Sequence, residues 1–303
     1  MEDGGVNHKN SWGGSWTEEK LEAFEKYVKA YLAIMNKRRD QYGWKLIYFD
    51  GFAGSGDRRG NTPASPLFAI AGIQEVETIV YQSAAERVLG LDMRGFDFYY
   101  FIDQSEAASA ALKKRLMRIA PDSAQLEFRA DDANEQIVKL AEALQKGKGQ
   151  YKALVLLDPF GMQIDWSSVA SLRGTGTDLW ILIPSGVIIN RLLDKNGELA
   201  HIAKLESFFG ITEAQIRALF YENVPVPRSL FGEDEIKIQK AKDSITKIAV
   251  FYTKRLREIF KYVTDKPFEM KNSKGMTIFH FACASNNQTA IKIAGGIIGR
   301  IHK

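Results

Sequence analysis

Leu46-Ile47-Tyr48-Phe49-Asp50-Gly51-Phe52-Ala53-Gly54-Ser55-Gly56 is an apolar run that passes straight into a glycine-rich turn. Four successive apolar residues suit a strand covered on both faces, as in a parallel sheet. Glycines at 51, 54 and 56 allow a tight turn and let a ligand approach the backbone closely. The stretch is not a nucleoside-triphosphate loop, because Asp57 rather than Lys follows Gly56, and its spacing also departs from G-x-G-x-x-G.

Outward from this stretch the pattern repeats. Apolar runs recur at Phe98-Tyr99-Tyr100-Phe101-Ile102, Leu126-Glu127-Phe128, Ala153-Leu154-Val155-Leu156-Leu157 and Leu179-Trp180-Ile181-Leu182-Ile183, with helix-length amphipathic stretches at 66–73, 105–119, 133–145 and 166–172 between them. Strand alternating with helix predicts an α/β fold with a doubly wound, Rossmann-like, mostly parallel sheet. Near the C-terminus, Asn272-Ser273-Lys274-Gly275 separates two further apolar runs and predicts an antiparallel hairpin. At the other end, Leu21, Phe24, Val28, Leu32 and Met35 share one face of a helix capped by Ser15 or Thr17 and ending near Arg39. The expected organisation is an N-terminal helical extension (1–43), a Rossmann-like cofactor-binding core (44–185), a helical insert with a basic face (186–264), and a C-terminal hairpin and helix that complete the core (265–303).

Composition narrows the function classes. With 303 residues, 45% apolar and 26% charged, the chain has the make-up of a soluble globular protein. One cysteine, Cys283, excludes an intrachain disulfide and a cysteine zinc cluster. Four scattered histidines (His8, His201, His280, His302) leave little for a histidine metal site, so no metal is expected. No apolar run approaches a membrane span and the start is polar, so a cytoplasmic protein without membrane association is expected. The net charge of +4 is uneven: residues 228–303 hold 15 Lys/Arg against 7 Asp/Glu, and the remainder holds 26 against 30. From Glu235 to Val263 an apolar stripe predicts one helix, with Lys240, Lys247, Lys254 and Lys261 every seven residues and Arg257 beside them. At about 1.5 Å per residue that ladder runs roughly 30 Å, long enough to follow several nucleic-acid phosphates; the bland alternative is a solvated helix face.

Ligands of open α/β sheets bind beyond the carboxyl ends of the strands. Four of the runs end in aspartate. Asp50 opens the glycine-rich loop, and Asp103, at the end of the second run, is placed to accept from both ribose hydroxyls of an adenosine ligand. Asp132, in Arg129-Ala130-Asp131-Asp132-Ala133-Asn134, can accept from an adenine amino group or cap the next helix. In Leu157-Asp158-Pro159-Phe160-Gly161, Asp158 and a backbone carbonyl can accept the N–H protons of a planar amine while Phe160 stacks on its ring. The competing structural role there is a strand-to-helix turn in which Asp158 caps and Phe160 packs.

Together these strand ends resemble the class I S-adenosylmethionine-dependent methyltransferases. The resemblance implies that Asp50, Gly51, Phe52, Ala53, Gly54 and Gly56 form a cofactor loop, with Asp103 on the ribose and Asp132 near the adenine. Asp158, Pro159 and Phe160 would then hold a methyl-accepting base amine. The family's amino-methylating signature is usually Asp/Asn-Pro-Pro-Tyr/Phe, whereas this chain has Asp-Pro-Phe-Gly, closer to the string of tRNA guanine-N2 methyltransferases. Over most of its length the chain also resembles the three-Cys-motif partner family (TcmP). The strings that carry this are Trp16-Thr17-Glu18-Glu19-Lys20-Leu21, Tyr48 to Gly56, Ser65-Pro66-Leu67, Asp132-Ala133-Asn134, Leu157 to Met162 and Asp178-Leu179-Trp180. That resemblance implies a radical-SAM-like partner protein bearing three cysteines. The expected function is therefore S-adenosylmethionine-dependent methylation of a nucleic-acid base amine beside such a partner. The alternatives are a non-catalytic cofactor- or substrate-binding subunit and a Mg²⁺-dependent nuclease.

Overall fold

The computed structural model of the chain describes residues 14–55, 83–159, 161–226, 235–272 and 274–301. Helix α1 (Gly14–Tyr42) leads into β1 (Lys45–Asp50) through Gly43, whose φ of +67° is a left-handed conformation that favours glycine. Then follow α2 (Ala84–Leu89), β2 (Phe98–Asp103), α3 (Glu106–Leu116), β3 (Gln125–Ala130), α4 (Ala133–Lys146), β4 (Tyr151–Leu157), α5 (Trp166–Ser171) and β5 (Thr177–Ile183). A π turn (Ser185–Ile189) continues into a helical turn (Asn190–Leu192) and then α6 (Ile202–Phe209) and α7 (Glu213–Phe220). An antiparallel pair, β6 (Tyr221–Val226) and β7 (Glu235–Lys240), precedes α8 (Ser244–Arg257). Strands β8 (Tyr262–Val263), β9 (Phe268–Lys271) and β10 (Thr277–Ser285) and helix α9 (Gln288–Ile301) close the described chain.

The main sheet has the order β3-β2-β1-β4-β5-β10-β8, with β9 also paired to β10. Strands β1 to β5 are parallel; β10 runs antiparallel to β5, β8 and β9. This is a doubly wound, mostly parallel Rossmann-like sheet, with the antiparallel C-terminal hairpin that the sequence predicts. The period of two along each strand divides the core. Leu46, Tyr48, Leu154, Leu156, Trp180 and Leu182 pack under α1, α2, α3 and α9. Ile47, Phe49, Val155, Leu157, Ile181 and Ile183 pack under α4, α5 and the helices that follow β5. Each fully buried side chain of this kind contributes about 1.5–3 kcal/mol, which fixes the register that aims the strand ends.

Two sequence expectations need correction. The segment Glu235 to Val263 is not one helix but strand β7, helix α8 and strand β8. Ile236 and Ile238 alternate with Lys237 and Gln239, a period of two that lets β7 pair with β6, and the helix begins only after Asp243, whose backbone is non-helical. Segment 186–264 accordingly contains a two-stranded sheet besides its helices. The helix expected at 66–73 lies outside the described residues.

Candidate functional site

In the order 3-2-1-4-5 the chain reverses direction between β1 and β4, and the crevice of such a sheet lies at their carboxyl ends. The turn after β1 is fastened to both neighbours there. Gly51 N–H donates to Leu156 O at 3.0 Å, and Ala53 N–H donates to Ile102 O at 2.9 Å. Gly54, at φ +65°, turns its N–H onto Asp103 Oδ2 at 3.1 Å, while Ser105 N–H donates to Asp103 Oδ1 at 2.8 Å. Asp103 thus bridges the glycine-rich turn and the end of β2. An ionised carboxylate offers about four lone-pair sites, so two remain beyond these backbone donors. Asp103 is only partly buried, and its free lone pairs suit a ribose diol. Phe52 is half-buried and Ala53 buried in the same turn. Gly56 and Phe160 lie outside the described residues.

Asp132 is the N-cap of α4. Its Oδ1 accepts from Asn134 N–H at 2.8 Å and Glu135 N–H at 3.2 Å, which is the capping role. Oδ2 has only a long 3.5 Å approach from Gln104 Nε2, so an acceptor is left over. Asn134 locks the neighbouring loops: its Nδ2 donates to Gln163 O, and its Oδ1 accepts from Asp165 N–H and Ser168 Oγ–H, each at 2.8 Å.

The alternation that orients Leu46 and Tyr48 toward α1 also orients Asp50 that way, and Asp158 follows Leu154 and Leu156 on the same face. Helix α1 answers with Lys20, whose ammonium donates to Asp158 Oδ2. Lys20 is 5% exposed, and Asp50 is 3% exposed beside the pair. Asp50 accepts from Phe52 N–H and Tyr48 Oη–H, both at 3.2 Å. Burial pushes the Asp50 carboxyl up to about 7, and the nearby charge of Asp158 adds to the rise; the Phe52 and Tyr48 hydrogen bonds and Lys20 oppose it. Pro159 is buried directly behind Asp158. Local patterning assigned Lys20 no role. Its signal was positional: a lysine one turn before Phe24 on an otherwise apolar helical stripe needs a buried partner.

The basic residues of the C-terminal segment are not brought onto one ladder. Lys240 ends β7 and donates to Asn190 O at 2.7 Å. Lys247 pairs with Asp243 and Glu222, and Arg257 with Asp265. Lys254 and Lys261 are exposed. His280 lies in β10, hydrogen-bonded through Nδ1 to Ser185 Oγ at 2.6 Å and lowered by burial, as befits a core histidine. Among the described residues no three His, Cys, Asp or Glu side chains converge as a metal-ligand set, and no helix is long and apolar enough to cross a membrane.

No family model matches the chain, and no curated protein matches it. Among solved structures, that of protein LPL1258 from Legionella pneumophila str. Philadelphia 1, of the DUF519 family model, is similar to it with a TM-score of 0.41 and 13% identity. The alignment covers 90% of this chain and 98% of that one.

Proposed function

We propose that the chain is an S-adenosylmethionine-dependent methyltransferase that acts on an amino nitrogen of a nucleic-acid base. The observation that carries the reading is Asp103, held by the N–H groups of Gly54 and Ser105 at the switch point of the doubly wound sheet, with acceptor lone pairs left over. S-adenosylmethionine, when bound, supplies a sulfonium methyl group, which a neutral amine accepts with loss of one proton. The chain's own residues bind and orient. Asp103 accepts from the ribose hydroxyls, Asp132 Oδ2 from the adenine amino group, and the backbone of Gly51 to Gly54 follows the cofactor closely. Asp158 and the carbonyl of Pro159 accept from the target nitrogen, and Lys20 fixes the Asp158 carboxylate and balances its charge. Lys254 is exposed in the last turn of α8 and open to a phosphate, whereas Lys261, whose N–H donates to Asn286 Oδ1, lies at the amino-terminal edge of the sheet, away from the cofactor site. A three-Cys, radical-SAM-like partner, which the family resemblance implies, is part of the proposal; the chain's one cysteine, Cys283, is fully buried in β10 and would not contribute to that partner's cluster.

One observation favours a second reading. Lys20 already engages the Asp158 carboxylate, which suits a non-catalytic subunit that binds the cofactor or substrate without transferring the methyl group. It also disfavours a Mg²⁺ nuclease, because an ammonium stands where the Asp158 carboxylate would ligate a metal. The test is transfer of isotopically labelled methyl from S-adenosylmethionine to tRNA and to DNA. Label in nucleic acid that disappears in Asp158→Asn, with cofactor affinity retained, supports the transferase. Cofactor binding without transfer supports the silent subunit, and absence of cofactor binding overturns the transferase and leaves the silent subunit only as a substrate binder.

A further inference from the structure

A cavity of about 240 Å³ lies at the amino-terminal edge of the parallel strands, opposite the candidate site. It is walled by α1, α9 and the starts of β1, β4 and β5, far from the glycine-rich turn along the strands. That volume is somewhat below the roughly 300–1,000 Å³ of drug-sized ligand sites, so it suits a small metabolite.

Its lining is polar at two separate places. On one side stands Asp178, on the sheet face that packs under α1. Its oxygens accept from Tyr27 Oη–H at 2.7 Å and from Ser285 Oγ–H, and burial raises its carboxyl above the usual range. Both donors are neutral, and among the described residues no cation pairs with this carboxylate. Beside it, Tyr31 lines the cavity with a buried hydroxyl that has no hydrogen-bond partner among the described residues. A partly buried carboxylate with no paired cation among the described residues, flanked by two tyrosine rings, is an unfinished cation site.

On the other side are Lys152 and Arg38. Lys152 shares a strand face with Leu154, the register partner of Asp178. Two residues along one strand and one strand across place Lys152 roughly 8 Å from Asp178 between Cα atoms. The Lys152 ammonium lies 4.7 Å from the ring centroid of Trp44, and its stem fills the space that a side chain at Gly176 would occupy. Arg38 is exposed at the rim. Neither has a carboxylate partner among the described residues.

We infer that this cavity binds a small zwitterion, with its ammonium group on Asp178 between Tyr27 and Tyr31 and its carboxylate on Lys152 and Arg38. The two cations alone would attract any anion, and Asp178 alone any amine; their separation across one cavity selects a molecule that carries both groups several ångströms apart. The cavity shares no lining residue with the proposed cofactor site, so each proposal can fail alone.

The probe is 5-aminopentanoate, titrated into the full chain by calorimetry, with pentanoate and pentylamine as single-charge controls. The expected result is saturable binding of 5-aminopentanoate at least tenfold tighter than either control. Asp178→Asn, which keeps the side-chain volume, removes that preference over pentanoate. Lys152→Met, which keeps most of the stem, removes the preference over pentylamine. Circular dichroism and thermal melting check that both variants are folded, and if Asp178→Asn is not, Lys152→Met and the two controls still decide. Equal binding of the three probes, no binding of 5-aminopentanoate, or an undiminished preference in folded variants overturns the inference.

Discussion

Replacing Asp103 with alanine tests the cofactor assignment at its firmest point. Two of the four lone-pair sites on its carboxylate are taken by Gly54 and Ser105 N–H groups, so two remain for a ribose diol. Hydrogen bonds to a charged group contribute about 1.5–3 kcal/mol each. The side chain is only partly buried, water competes for it, and the two together should therefore contribute about 1.5–3 kcal/mol rather than twice that. At about 1.4 kcal/mol per factor of ten, the dissociation constant for S-adenosylmethionine should rise roughly 10- to 150-fold. Asp103→Asn keeps one acceptor oxygen and turns an amide N–H₂ toward a backbone donor, so its loss should approach that of alanine rather than that of wild type. The assay is calorimetric titration at fixed ionic strength, with thermal melting to show that each variant is folded. A folded Asp103→Ala protein that binds within about threefold of wild type would refute the ribose assignment.

Two further outcomes concern the Lys20 cluster. Lys20→Met leaves Asp158 beside Asp50 without its counter-charge; breaking a buried pair costs about 3–5 kcal/mol, and the 22% exposure of the Asp158 side chain lowers this to about 2–4 kcal/mol in urea unfolding. Adding Asp158→Asn should restore part of the loss, and strictly additive losses would sink the pairing. Asp50 makes stability depend on pH. Its carboxyl titrates near 3.8 when unfolded and at about 7 when folded, so between those values the folded state holds more protons. The contribution is fully present below about pH 4 and is lost as pH rises through 7, at up to about 1.4 kcal/mol per pH unit. Urea unfolding from pH 4.5 to 7.5 should show a slope that Asp50→Asn flattens; identical slopes would contradict the burial argument.

The sheet was legible because its signals are local. Each apolar run is long enough to name a central strand, and the aspartate after it marks the edge where ligands bind, so Asp50, Asp103, Asp132 and Asp158 fell at the predicted strand ends. The failure at Glu235 to Val263 has a local cause too. Isoleucines at 236 and 238 fit a strand as well as a helix, and the ladder of lysines depended on treating seven-residue spacing as helical across the turn at Asp243. The Lys20 contact could not be read from neighbours, because its partner is 138 residues away; only the anomaly of a cation on an apolar stripe pointed to it.

That anomaly changes what α1 does. At about 1.5 Å per residue its 29 residues span roughly 43 Å, longer than any strand beneath it. Along that length it contributes Lys20 to Asp158 at the carboxyl edge and Tyr27 to Asp178 near the start of β5. Arg39 reaches Gly95 O, before β2. Between these polar contacts Phe24, Val28 and Leu32 are buried against the sheet. A helix fixed at both edges cannot shift at one without straining the other. A ligand that draws Asp158 away from Lys20 would therefore act on the same rigid element that walls the Asp178 cavity. The two proposed sites share a physical connection through packed side chains, and occupancy of either should be measured with the other both empty and filled.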